Sequence, residues 1–215
     1  MDLEIIVGNK NYSSWSLRAW LAVARSGLPF RETVIPMFQD DSARAIARHS
    51  PSGKVPCLRH GDLVVWDSLA ICEYVAELAP EAQLWPADRA ARAVARSACA
   101  EMHTGFAAMR NDMTMNLRAS KPGVGHSPAA LADAAAVQAR WRQLRERHGA
   151  GGEFLLGAFT IADCFYAPVV TRFQTYGVEL DPVARRYCEA VAALPEFQRW
   201  RAAALEEPWR IAHYE

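Results

Sequence analysis

Residues 50–77 read SPSGKVPCLRHGDLVVWDSLAICEYVAE, and this stretch does most to determine the fold. Val55-Pro56 leads into a short apolar run from Cys57 to Arg59, and a Gly-Asp turn brings the chain back into a second run from Leu63 to Trp66. Asp67-Ser68 then begins an amphipathic helix, because Asp and Ser are preferred residues at helix N-caps. The stretch therefore predicts a strand, a turn, a second strand and a helix.

The residues before this stretch predict a βαβ unit. Leu3 to Val7 is a short β-rich run, and from Ser14 onward the apolar residues fall at helical spacing until Gly27. Phe30 to Ile35 can form a strand parallel to the first, and a short helix is predicted near Asp41 to Arg48. The resulting order, βαβ-α-ββα, is that of a thioredoxin-like α/β domain over residues 1–79.

The rest of the chain predicts an all-α C-terminal helical bundle domain over residues 89–215, joined by a proline-bounded linker at 80–88. Its first predicted helix is long and carries Phe106, Met109 and Met113 on one stripe, a pattern that usually marks core packing. Thr160 and Asp163 have the spacing of a capping box, so we assign both a structural role at a helix start.

Composition excludes several classes of function. The chain has 24 basic and 24 acidic residues, so we expect no electrostatic attraction to nucleic acid or to an anionic membrane. The five cysteines are scattered and odd in number, which fits reduced thiols in a cytoplasm. No apolar run is long enough to span a bilayer, and no HExxH or GxSxG motif indicates a metal site or a serine hydrolase.

The run from Asn11 to Arg18, NYSSWSLR, precedes the first predicted helix. Taken alone, Ser13 or Ser14 is most simply a helix cap. The run also resembles the SSCSWR-type segment of zeta-class glutathione transferases, with Trp15 at the Cys position. This resemblance covers nearly the whole chain. It implies glutathione as co-substrate or cofactor, Ser13 as the hydroxyl donor to its sulfur, Ser14 as a second candidate and Trp15 as a glutathione contact.

The same resemblance assigns roles in residues 50–77. It implies a cis peptide bond before Pro56, a structural residue that turns the backbone of Val55 toward the cysteinyl part of glutathione. Asp67 is expected to pair with the α-ammonium group, and Ser68 with the α-carboxylate at the helix N-terminus. Lys54 is expected to reach the glycyl carboxylate, although a solvated lysine is an equal alternative. Helix capping by Asp67 or Ser68 is compatible with ligand binding.

The resemblance implies a homodimeric glutathione transferase with a role in detoxification. Its bound thiolate would attack an apolar electrophile held in a pocket of the helical domain, lined by Phe106, Met109 and Met113. Two alternatives stay open: a zeta-class maleylacetoacetate isomerase that uses glutathione as a cofactor, and a non-enzymatic transferase-like module that binds a protein. The identity of the electrophile, and which serine faces the sulfur, also stay open.

Overall fold

A four-stranded mixed sheet forms the first part of the protein, whose computed structural model describes residues 2–215. Its strands are β1 (Leu3–Val7), β2 (Arg31–Val34), β3 (Cys57–His60) and β4 (Leu63–Val65). They lie in the order β2-β1-β3-β4, with β1 parallel to β2 and antiparallel to β3, and β3 antiparallel to β4. The predicted thioredoxin-like arrangement is confirmed.

Helices cover both faces of this sheet. These are α1 (Ser14–Arg25), α2 (Ser42–Ala47) and α3 (Ser68–Leu78). Successive residues of a strand point to opposite faces, so Ile5 of β1 joins the main core with α1 and α3, whereas Ile6 packs with Ile46 of α2. Helices α1 and α3 also pack against each other, and this packing fixes the positions of their N-termini.

Helices make up the part of the chain after residue 89. They are α4 (Arg89–Thr104), α5 (Ala107–Asp112), α6 (Pro128–His148), α7 (Ile161–Tyr176), α8 (Pro182–Ala193) and α9 (Pro195–Glu206). Helix α7 is buried along almost its whole length and packs against α1 and α4, so it joins the sheet-containing part to the helical part. The predicted helical second domain is confirmed, while its boundaries at residues 79 and 89 stay predictions.

The start of α7 is held by the predicted capping box. The carboxylate of Asp163 accepts hydrogen bonds from the Thr160 N–H at 2.8 Å and the Thr160 hydroxyl at 3.2 Å. Its other oxygen accepts from the Leu155 N–H at 3.1 Å. Burial raises the pKa of Asp163 to about 6, and these hydrogen bonds oppose that rise. Because α7 packs against α1, the box also supports the helix that carries Ser13 and Ser14.

The single long helix predicted through Met113 is wrong. Helix α4 ends at Thr104, Phe106 adopts a left-handed conformation with φ of 57°, and α5 begins at Ala107. At Gly105 a Cβ would lie only 2.7 Å from the carbonyl oxygen of Glu101, so this position requires glycine. The guanidinium of Arg110 donates to the carbonyls of His103 and Gly105, which would otherwise be unpaired at the helix end.

Two kinds of feature are absent from the part of the chain that the structure describes. Each helix within residues 2–215 is too short or too polar to cross a lipid bilayer. Over the same residues, no three side chains of His, Cys, Asp or Glu converge as a metal-binding group would require.

Candidate active site

Two neighbouring cavities open at the N-termini of α3 and α1. Cavity 1 has a volume of about 420 Å³ and is lined by Trp15, Ser52, Lys54, Val55, Pro56, Trp66, Asp67, Ser68 and His103. Cavity 2 has a volume of about 430 Å³ and is lined by Tyr12, Ser13, Ser14, Trp15, Met37, Phe38, Val55, Ala107, Arg110, Asn111, Thr114, Met115, Arg172 and Tyr214. Trp15 and Val55 line both cavities, so these two residues form the boundary between them.

The serines at the start of α1 face cavity 2. Ser13 is the N-cap, and its Oγ accepts from the Ser16 N–H at 3.3 Å, so the capping role is realised. The Ser13 hydroxyl also donates to Ser16 Oγ at 2.7 Å, and that oxygen accepts from the Gly8 N–H at 3.0 Å. Ser14 is the first helical residue, and no group within residues 2–215 forms a hydrogen bond with its hydroxyl. Both hydroxyls are thus presented at the positive end of a helix.

The segment before β3 presents a backbone edge to cavity 1. The Val55–Pro56 peptide is cis, as the sequence resemblance implied. Among the residues described, 2–215, no backbone group pairs with the N–H or C=O of Val55. Lys54 lies beside it on the same cavity wall. A peptide group of a ligand can therefore pair with Val55 without displacing an existing backbone partner.

The start of α3 presents a carboxylate and a hydroxyl to cavity 1. Asp67 is the N-cap, and its Oδ1 accepts from the Leu69 N–H at 2.8 Å. Ser68 is buried, and its Oγ has no hydrogen-bond partner within the described part of the chain. Buried polar groups are nearly always satisfied, so an unpaired hydroxyl at a helix N-terminus indicates a place for an anionic ligand group.

His103, which the sequence did not single out, reaches cavity 1 from α4. Its Nε2 lies 3.2 Å from Oδ2 of Asp67, so the helical part of the protein contacts the N-cap of α3. Burial lowers the pKa of His103; Asp67 acts in the opposite direction, and the cations Arg18 and Arg110 add to the lowering. The imidazole is therefore neutral at pH 7 and can donate a hydrogen bond to Asp67.

Two guanidinium groups lie over the indole of Trp15. Arg18 lies over the indole at 4.4 Å from the ring centroid and Arg110 at 4.7 Å, while His103 meets it edge-on at 5.0 Å. Arg18 is fully buried, and none of its guanidinium nitrogens has a hydrogen-bond partner within residues 2–215. Burial lowers its pKa to about 9, yet the group remains a cation at pH 7.

Cavity 2 carries positive charge on the side formed by α5 and α7. Arg172 is buried and donates to the carbonyls of Met113 at 2.9 Å and Pro168 at 3.0 Å. Burial lowers the pKa of Arg172 to about 10 and also lowers that of Arg110, but both stay charged at pH 7. Over residues 2–215, neither guanidinium has a carboxylate partner within 4.0 Å. A ligand that brings a negative charge would supply the missing partner.

The three residues predicted to line an apolar pocket do not line either cavity. Met109 and Met113 are fully buried in the core, and Phe106 packs against that core from the helix break. After the break at Gly105, Arg110 of α5 lines cavity 2 in their stead. One signal was present in the sequence: Arg172 lies two residues after the apolar run from Ala167 to Val170, and an arginine is rarely buried without a role.

The C-terminal segment closes one side of cavity 2. Tyr214 lines the cavity and stacks on Tyr12 with ring centroids 5.6 Å apart. Glu207 accepts from the backbone N–H groups of Lys10 at 2.7 Å and Asn11 at 3.2 Å. This carboxylate holds the loop before α1 against the end of α9, and the loop leads directly into Ser13.

Two family models match the chain. Residues 12–78 match the model of the glutathione S-transferase N-terminal domain, and residues 127–203 match that of the C-terminal domain. Together they span most of the chain, and they cover Ser13, Val55, Asp67 and α7.

Curated relatives and solved structures agree with these models. The chain is 29% identical to glutathione S-transferase Z1 of Arabidopsis thaliana, over 88% of this chain and 89% of that protein. It is 25% identical to a probable maleylacetoacetate isomerase of Caenorhabditis elegans, over 86% and 87%. A glutathione transferase homologue from Burkholderia with bound glutathione has the same fold, with a TM-score of 0.74, 23% identity and coverage of 96% and 100%. The chain therefore belongs to the glutathione S-transferase family, and its sequence is zeta-like.

Proposed function

We propose that this protein is a glutathione-dependent enzyme that holds glutathione in cavity 1 and an electrophile in cavity 2. The observation that carries the proposal is the set of unsatisfied polar groups that line cavity 1: the backbone of Val55 and the buried hydroxyl of Ser68, beside the carboxylate of Asp67. Glutathione has a zwitterionic γ-glutamyl end and peptide groups, which complement these features in kind.

Each of these residues of cavity 1 binds a different part of glutathione. Asp67 pairs with the α-ammonium group, and Ser68, at the N-terminus of α3, binds the α-carboxylate. Val55 pairs with the cysteinyl peptide group, and Lys54 reaches the glycyl carboxylate. His103 holds Asp67 from the other side through its Nε2. The chain thereby orients the cysteinyl side chain toward the boundary formed by Trp15 and Val55.

Glutathione, when bound, supplies a thiol that attacks an electrophilic carbon once it is ionised. Ser13 favours the ionised form by donating a hydrogen bond from its hydroxyl to the sulfur, and the proton of the thiol passes to solvent. In the structure the Ser13 hydroxyl donates to Ser16 Oγ. When both hydroxyls rotate, Ser16 donates to Ser13 Oγ while it still accepts from the Gly8 N–H, and the Ser13 hydroxyl can then donate to the sulfur. A continuous series of hydrogen bonds of this kind strengthens the last one, which is the hydrogen bond from Ser13 to the sulfur. A shift of ~1–2 pKa units requires about 1.4–2.7 kcal/mol of preferential stabilisation of the thiolate.

The electrophile carries a negative charge. Arg110 and Arg172 line cavity 2 without carboxylate partners, and a bound carboxylate would compensate both. The apolar electrophile that the sequence resemblance implies stays a prediction. The lining is equally suited to a conjugation substrate and to an isomerisation substrate of the kind named for the maleylacetoacetate isomerase relatives. Conjugation consumes glutathione whereas isomerisation returns it, so the free thiol that remains after turnover distinguishes them.

We further propose a homodimer in a reducing cytoplasm, with a role in detoxification, and domains at 1–79 and 89–215 joined by a linker at 80–88. Three large apolar side chains of β4, the segment after it and α4 are exposed, which supports a contact with a second subunit: Leu63 by 47%, Trp66 by 48% and Val94 by 38%. All five cysteines are buried free thiols, which suits a reducing compartment.

Removal of the Ser13 hydroxyl tests the proposed donor. Glycine is tolerated at an N-cap, so Ser13→Gly should fold and yet lower kcat/KM for a chlorodinitrobenzamide by ~10–1,000-fold, the usual loss for one oriented donor. The readout is release of chloride coupled to loss of free thiol. Ser127→Gly removes the N-cap hydroxyl of α6, which lines neither cavity, and should retain wild-type activity. Wild-type activity of Ser13→Gly, with a loss in Ser14→Ala, would assign the donor to Ser14.

Replacement of Arg172 tests the charge of the electrophile. Arg172→Gln should lower kcat/KM for a chlorodinitrobenzoate by ~10–100-fold relative to the matching benzamide, because a charge-assisted hydrogen bond contributes about 1.5–3 kcal/mol. The ratio of the two substrates corrects for general damage to the fold. Arg145→Gln is the matched control, since Arg145 also binds two backbone carbonyls but lies outside both cavities. Parallel losses with both substrates would argue against an anionic electrophile.

The pKa of His103 tests the contact with Asp67. We expect the His103 imidazole to titrate below 6.5 in a proton NMR titration, its resonance identified by its loss in His103→Gln. The folded state binds a proton at His103 less tightly than the unfolded state does. The contribution of His103 to the free energy of unfolding is therefore present above pH 6.5 and is lost as the pH falls through the lowered pKa. Asp67→Asn should lower the pKa further, because Asp67 favours the protonated form. A midpoint at or above 6.5 would mean that the attraction of Asp67 outweighs burial.

A further inference from the structure

The boundary between the two cavities is where the proposed reaction has to occur. The groups assigned to glutathione line cavity 1, whereas Ser13, Ser14 and the arginines line cavity 2. A cysteinyl sulfur bound in cavity 1 therefore reaches Ser13 only past Trp15 and Val55, which line both cavities. The size of this opening limits how closely an electrophile in cavity 2 can approach the sulfur.

The indole of Trp15 is fixed from both parts of the protein. Arg18 lies in α1, and because its guanidinium has no hydrogen-bond partner within residues 2–215, the rings of Trp15 and Phe165 are its main favourable contacts, at 4.4 and 4.9 Å. Arg110 lies in α5 over the same indole, and its NH1 is bound to the carbonyls at the end of α4. A ring held by two anchored cations cannot swing aside without loss of both contacts.

We propose that Trp15 is a specificity-determining residue, whose indole, held in place by contacts with Arg18 and Arg110, sets the width of the opening between the cavities and so the bulk of the electrophile that can react. This inference rests on the proposed function. Trp15 exchanges no proton or electron in the reaction: with an aryl chloride, the thiolate forms the C–S bond and chloride leaves. A smaller side chain at position 15 should therefore admit bulkier electrophiles.

The test compares two electrophiles with the same reacting carbon, a chlorodinitrobenzamide and its N-phenyl derivative. The measured quantity is the ratio of kcat/KM for the N-phenyl compound to that for the primary amide. Trp15→Ala should raise this ratio by ~10-fold or more, a size typical of steric discrimination in a pocket, whereas Trp15→Phe, which keeps an aromatic wall, should change it by less than about threefold. A purely structural role would lower both constants together and leave the ratio unchanged.

Trp85→Ala is the matched control. Trp85 is also partly buried under a guanidinium, that of Arg96 at 5.3 Å, but it lies outside both cavities, so the ratio should keep its wild-type value. If Trp15→Ala does not fold, as judged by circular dichroism, Trp15→Leu, which keeps an apolar body beneath the two cations, is measured instead.

An unchanged ratio in a folded position-15 variant that still binds glutathione overturns the role of Trp15 and leaves the proposed function intact. A wild-type protein that neither binds glutathione in calorimetry nor turns over the primary amide overturns the proposed function itself. An increase in the ratio for Trp85→Ala equal to that for Trp15→Ala would also contradict the inference, because it would attribute the change to loosened packing in general.

Discussion

The chain of hydrogen bonds from Gly8 through Ser16 to Ser13 is the interaction on which the site depends. It joins the end of β1 to the first turn of α1, and it holds Ser13 Oγ at the wall of cavity 2. Glycine at position 8 leaves room for two side chains that line cavity 2, since a Cβ there would lie 2.7 Å from Sδ of Met37 and 3.1 Å from Cγ2 of Val55. Glu207 holds the loop between them through two backbone N–H groups. Residues from the N-terminal and the C-terminal parts of the protein thus position the Ser13 hydroxyl together.

The second constraint is the positive charge of three arginine side chains that no carboxylate in the described part of the protein balances. Arg18 and Arg172 are buried, Arg110 is partly buried, and no carboxylate within residues 2–215 pairs with any of them. Unpaired buried cations lower the stability of the folded protein, and backbone carbonyls and aromatic faces supply only part of the compensation. Such an arrangement is expected where the charge serves a ligand. The same cations favour a thiolate at the boundary of the cavities.

Much of the fold could be predicted from the sequence because its signals are local. The βαβ-α-ββα order followed from alternating apolar runs and turn residues, and the α7 start followed from the Thr160–Asp163 spacing. Ser13, Val55, Asp67 and Ser68 were identified because residues 12–78 retain a family pattern, and the structure brings all four to two adjoining cavities.

The remainder depends on contacts between distant parts of the chain. The apolar stripe through Met109 and Met113 continues across Gly105, so periodicity alone gave no indication of the break that turns Arg110 toward cavity 2. His103 reaches Asp67 only because α4 packs beside the N-terminus of α3, which no local pattern records. Nor could the sequence show that two guanidiniums lie over the indole of Trp15, one from each part of the protein.

The ionisation state of bound glutathione is the most direct measurement of what the start of α1 does. Ultraviolet absorbance of the thiolate, titrated against pH in the complex of the wild-type protein with glutathione, should show a midpoint ~1–2 units below the value of about 8.5 for a free thiol. The same titration in a variant without the Ser13 hydroxyl should return toward the free value. A wild-type complex whose thiol titrates as free glutathione does would contradict the claim that Ser13 and the helix N-terminus stabilise the thiolate.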